Sequence, residues 1–202
     1  MSELSLNMQS HEEKQLFARK FALWIALGAI LMMFAGLTSA YIVKKAYSTV
    51  WTNFSIPDIF YISTLVIILS SATMLGAQRA FRKGFVIKYR NLLLFTFGLG
   101  SLFLVLQIDG WMQLKAQGID MIEEISGAFF YVISGAHAVH ILGGLVMLLI
   151  MILKISRSIK KEKIDTYLTP ARKLNVTLMA TYWHFIGFLW IYIFLFLIYN
   201  HN

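Results

Sequence analysis

"TYWHFIGFLWIYIFLFL", residues 181–197, is apolar enough to lie in hydrocarbon, yet it holds a histidine and two tryptophans. A helix rises about 1.5 Å per residue and a bilayer core is about 30 Å thick, so a spanning segment needs about 20 apolar residues. The quoted stretch sits inside such a run, roughly 174–199. Four more runs precede it, at roughly 21–43, 60–77, 92–114 and 129–153, and the gaps between them hold nearly every charge. Composition agrees: of 202 residues, 58% are hydrophobic, 14% are charged and two are prolines, which places the chain with membrane proteins. In lipid the backbone polar groups must be satisfied within the segment, so unbroken apolar runs of this length are helices. The expected fold is all-α, a polytopic bundle of five transmembrane helices, with residues 1–20 as a polar cytoplasmic tail and 21–199 as one membrane domain.

The first run follows about twenty polar, mixed-charge residues and exceeds the apolar stretch of a signal peptide, so it reads as retained despite the small residues Thr38, Ser39 and Ala40. There is no cysteine, which removes disulfides, thiolate metal sites and cysteine nucleophiles. Lysine and arginine are sharply divided: fifteen of 18 fall in the N-terminal tail and in the second and fourth connections, and only Lys44, Lys45 and Lys115 fall opposite. Basic loops are retained on the cytoplasmic side, so the N-terminus is expected inside and the C-terminus in the periplasm. The net charge of +8 is then a consequence of topology, with attraction to anionic lipid as a corollary, and no nucleic-acid partner is implied.

Ionisable groups inside a membrane are costly and read first as functional. All ten carboxylates lie in tails, connections or helix ends, including Asp58 and Asp109, so a proton relay within this chain is not expected. Three histidines remain. His137 and His140, in "SGAHAVHILGGL", share a helical face that Gly144 extends, and small residues there let a second helix approach. In the last run Thr177, Thr181 and His184, with Ala180 and Gly187, form a small polar stripe read as the interior face, with Leu178, Phe185, Leu189, Ile193 and Phe196 toward lipid. His140 and His184 both fall about 15–17 Å from a predicted helix end, near mid-depth, where they could meet. Such a pair suits haem iron or another metal, or contact with a lipid or partner subunit; hydrogen bonding across helices is preferred, because polar atoms in lipid must find partners. Trp183, Gly187 and Trp190 form one ridge, expected to pack against a helix rather than to line a groove for lipid chains.

These segments, taken in order, resemble subunit III of the haem-copper respiratory oxidases. "ATYWHFIGFLWIYIFL" is similar to the last-helix signature of that family, "SGAHAVHILGGL" to its histidine-rich penultimate helix, "LFLVLQIDGW", "STLVIILSSATM" and "FAGLTSAYIV" to the three helices before. The resemblance spans residues 20–199 and the length is that of the short, five-helix bacterial type. It implies a non-catalytic subunit of a proton-pumping terminal oxidase in a bacterial plasma (inner) membrane, with no cofactor in this chain except phospholipid. Haem and copper would sit in partner subunits I and II, and this chain would pack beside subunit I and stabilise it. By the same resemblance Gln107, His137, His140, Trp183, His184 and Trp190 are the retained positions, assigned to lipid binding or subunit packing. Ile30, Gly110 and Gly187 stand where the family carries carboxylates, with Asp109 beside Gly110 as a partial substitute. The alternative, from the residues alone, is a haem-b electron carrier using His140 and His184.

Overall fold

A computed structural model of the chain describes the backbone at residues 2–48, 51, 54–119, 125–160 and 169–200, with side chains from residue 13 onward except that of Pro170. It contains α1 (Ser2–Tyr47), α2 (Ile59–Arg82), α3 (Val86–Ala116), α4 (Ile125–Lys160) and α5 (Pro170–Asn200). All five are long and apolar enough to cross a membrane. Each outruns the apolar run that foretells it, because the flanking residues, such as Glu13, Lys14, Gln15 and Leu16, are good helix formers and carry no stop signal. The helices stop where backbone chemistry demands it. Gly84 takes φ 75° in the tight turn between α2 and α3, and Gly118 takes φ 85° just after α3, a region that costs other residues a steric clash. Before α5, Thr169 accepts a hydrogen bond from the Arg172 N–H at 3.3 Å, and the first helical residue is a proline, which lacks only an N–H that would have no helical partner. Lys161 and Lys163 of the fourth connection lie outside the described residues.

Helices α2, α3, α4 and α5 close a ring in which each packs against the next, and α1 lies outside it against α4 and α5. Among the described residues α1 makes no close backbone approach to α2 or α3. At the end away from the clustered basic residues, α1 and α5 are tied. Tyr41 Oη and Lys45 Nζ both donate to the Asn200 carbonyl, at 2.9 and 2.8 Å, and Thr38 Oγ1 meets Tyr192 Oη at 3.1 Å. The Tyr41 ring is held edge-on by Trp51, Phe129 and Phe196. At the basic end, among the described residues, the same two helices share a long Arg19–Asn175 hydrogen bond at 3.5 Å.

Candidate functional site

Four hydroxyls of α2 and four polar side chains named above meet one to one. Trp183 Nε1 donates to Ser70 Oγ at 3.1 Å, and Trp190 Nε1 donates to Thr64 Oγ1 at 3.0 Å. Gln107 Nε2 donates to Ser63 Oγ at 3.0 Å, and His184 Nδ1 shares a 2.5 Å hydrogen bond with Ser71 Oγ. Ser63 and Thr64 in turn donate to the Phe60 carbonyl, and Ser70 to the Thr96 carbonyl, so each hydroxyl is oriented as an acceptor for its indole or amide. The positions i, i+1, i+7 and i+8 recur after two turns of helix. That spacing was present in "STLVIILSS" and is the signal by which these four residues could have been found; sequence reasoning passed over them because hydroxyls in lipid carry no charge to draw attention.

The indole of Trp183 fills the middle of the ring. A Cβ on Gly100 of α3 or Gly144 of α4 would lie 2.9 Å from it, so both glycines are required by the close approach of the ring, not by backbone shape. Trp190 continues the column, 5.1 Å from the Phe103 ring and 5.0 Å from that of His137. Both tryptophans are buried. The ridge of Trp183, Gly187 and Trp190 therefore faces helices.

His137 is completely buried, with Phe34 of α1 and Phe103 of α3 edge-on to it. His140 is half-buried; its Nδ1 bonds the Ala136 carbonyl at 2.7 Å, its ring lies 5.8 Å from Phe34, and its own carbonyl accepts from Tyr182 Oη. The expectation that His140 and His184 meet is corrected. His140 looks to α1 and its own helix, whereas His184 looks to α2, so the pair needed for a bis-imidazole haem is not assembled. Among the described residues no group of three or more histidine, cysteine or carboxylate side chains could hold a metal ion.

The face reading of α5 is also corrected. Leu189 and Ile193, expected toward lipid, are buried, and Phe185 and Phe196 are partly buried. Thr177, Thr181 and His184 are only half-covered and lead into the exposed Phe188, Tyr192, Leu195 and Tyr199. An amphipathic pattern assumes one buried face; α5 touches α1, α2 and α4, so buried and part-buried positions together run round most of it, and the half-covered strip lies between α1 and α2.

The departures from the family pattern differ in kind. Ile30 is partly buried and packs against the core. Gly110 has no room for any side chain, since a Cβ there would lie 2.5 Å from the Phe60 ring. Asp109 beside it accepts from Gln113 Nε2 at 3.1 Å, an exposed pair within α3. At Gly187 the nearest atom to a Cβ would be Ser71 Oγ at 3.9 Å, beside a cavity of about 100 Å³.

A larger groove, about 890 Å³, opens at the basic end between α1, α4 and α5. Arg19, Lys154 and Arg172 stand in its wall with Leu23, Met147, Met151 and Tyr182. None of the six positions singled out in the sequence lines it.

The family model for cytochrome c oxidase subunit III matches residues 20–201. The chain belongs to the cytochrome c oxidase subunit III family. Its relatives include a cytochrome c oxidase subunit 3 from Corynebacterium diphtheriae, 29% identical over 178 residues, covering 85% of this chain and 82% of that protein. A cytochrome bo(3) ubiquinol oxidase subunit 3 from Buchnera aphidicola subsp. Schizaphis graminum is 29% identical over 185 residues, covering 89% and 93%. A probable cytochrome c oxidase subunit 3 from Nocardia farcinica is 28% identical over 175 residues, covering 84% and 82%. Subunit III relatives thus come from enzymes named for two different electron donors, cytochrome c and ubiquinol.

Proposed function

We propose that this subunit III is an accessory, non-catalytic component of a proton-pumping terminal oxidase in a bacterial inner membrane. It lies with its N-terminus in the cytoplasm, packs beside subunit I in a complex that also contains subunit II, and holds a phospholipid. One observation carries the reading: the intramembrane polar side chains Gln107, Trp183, His184 and Trp190 each bond a hydroxyl of α2, the arrangement of residues that hold helices together. Their work is packing of the subunit itself, and through it the support of its partners.

The phospholipid belongs in the groove between α1, α4 and α5. Arg19, Lys154 and Arg172 suit a phosphate, since guanidinium and ammonium groups bind it by charge-assisted hydrogen bonds. The methionines and leucine below them suit acyl chains, and basic pockets between helices on the cytoplasmic side are sites of this chemistry.

Native purification tests the assignment. Tagged subunit III drawn from its own membranes in mild detergent should bring down the haem-copper subunit with its Soret spectrum. Recovery of the chain by itself, from membranes that respire through such an oxidase, would overturn it. Arg19→Gln combined with Lys154→Gln should leave the subunits together and reduce the phospholipid retained per complex; unchanged lipid content would remove the groove from the proposal.

A further inference from the structure

Two fully buried polar side chains at the centre of the ring are left with unmet atoms. Gln107 Oε1 on α3 and both ring nitrogens of His137 on α4 have no hydrogen-bond partner, and the two residues are 1% and 0% exposed. Such orphans are rare in folded proteins and call for a ligand or an ordered water.

Helix register puts them together. Helices α3 and α4 run antiparallel, with Trp111 Nε1 donating to Ser134 Oγ at 3.0 Å and a Cβ on Gly100 falling 3.0 Å from the Leu145 side chain. Both pairings set residue 107 opposite residue 138, one turn from the Trp111–Ser134 bond, so Gln107 and His137 sit at the same level across the seam. The Phe103 ring, one turn from Gln107, is already 5.8 Å from the His137 ring. The amide orientation of Gln107 follows from its neighbour. Ser63 Oγ donates to the Phe60 carbonyl, so it accepts from Gln107 Nε2, and Oε1 is left as an acceptor.

We infer that one water molecule is held between Gln107 Oε1 and a ring nitrogen of His137. Neither atom has a direct hydrogen-bond partner, and a water can bridge polar groups at one level that do not bond each other directly. The water donates one O–H to the amide oxygen and the other to the lone-pair nitrogen of a neutral imidazole. Around the rest of the imidazole stand the rings of Phe34, Phe103 and Trp190, with centroids 6.3, 5.8 and 5.0 Å from its own. One polar chain then runs from the Phe60 carbonyl through Ser63, Gln107 and the water to His137, joining α2, α3 and α4 at the level where Trp190 joins α2 and α5.

The test is electron cryomicroscopy of the oxidase complex at a resolution that shows ordered water. A peak about 3 Å from both Gln107 Oε1 and a His137 nitrogen is expected, and it should vanish in Gln107→Met. Ordered side chains with no peak between them, or a direct Gln107–His137 bond, would overturn the inference. A mutant cycle in the same complex reads the coupling independently. Gln107→Met and His137→Phe should each lower the unfolding midpoint by a few degrees, and the double variant should fall by less than their sum. Strict additivity would overturn the bridge even if both variants fold.

Discussion

Along the seam between α2 and α5, Thr64, Ser70 and Ser71 each receive a side chain of the facing helix, and Trp183 reaches past α2 to touch glycines of α3 and α4. The flank occupied by α1 is built on other terms. It meets the ring through Phe34, Thr38 and Tyr41, is pinned at one end by Asn200, and parts from α5 around an open groove at the other. Gly28 and Gly36 of α1 would find nothing within 4 Å of an added Cβ, whereas Gly100, Gly110 and Gly144 of the ring would collide. Without a hydrophobic drive between helices in lipid, association rests on close packing and interhelical hydrogen bonds. The ring uses both; α1 uses them chiefly from Phe34 to Lys45, and its outer side is exposed.

The comparison breaks most visibly at Trp183. Trp183→Ala removes the side chain that fills the ring and leaves Ser70 without its donor, at an expected cost of about 3–5 kcal/mol. Thermal unfolding in detergent, followed by tryptophan-independent circular dichroism, should show a loss large enough to lower recovery of the subunit. A midpoint within a degree of the parent would mean that the ring does not depend on its central indole. Gly144→Val should follow in size, because a Cβ 2.9 Å from the same indole must displace it, and overpacking costs about 1–3 kcal/mol.

A sharper form sets two glycines against each other. Gly110→Ala places a methyl 2.5 Å from the buried Phe60 ring and should destabilise by about 1–3 kcal/mol. Gly187→Ala has 3.9 Å of clearance and should be neutral, or stabilising by up to about 1 kcal/mol through helix propensity. The two variants make the same chemical change in the same family of positions, so equal midpoints would show that backbone clearance is not what distinguishes them.

The five spans were legible because depth in a membrane is written along the chain: apolar length and the helical rise fix it without any knowledge of neighbours. The buried ridge of Trp183 and Trp190 was legible for a related reason, since two indoles on one face of a helix in lipid must each find an acceptor for the ring N–H. Direction around a helix was not. Whether His184 looks toward His140 depends on which helix lies beside α5, and no periodicity within 174–199 contains that. The same gap explains Leu189 and Ile193, which read as a lipid face on the assumption of one neighbour and are buried because α5 has three. Gly110 read as a missing carboxylate; only the position of Phe60 reveals that the site has no room for one.

The smallest effect is expected on α1. Gly28→Ala and Gly36→Ala add a methyl where nothing lies within 4 Å, so each should change the unfolding midpoint of the isolated subunit by no more than about 0.5 kcal/mol equivalent. Measured in the isolated subunit and again in the purified oxidase, these variants separate two roles for the free side of α1. Neutral in both settings, they leave that side to lipid, whose chains accommodate a methyl. Neutral alone but weakening retention of subunit III in the complex, they mark a close helix–helix approach, because a partner backbone that needs glycine cannot yield as an acyl chain does. In either case the ring glycines should remain the sensitive ones, since their clash partners, Trp183 and Phe60, travel with the subunit.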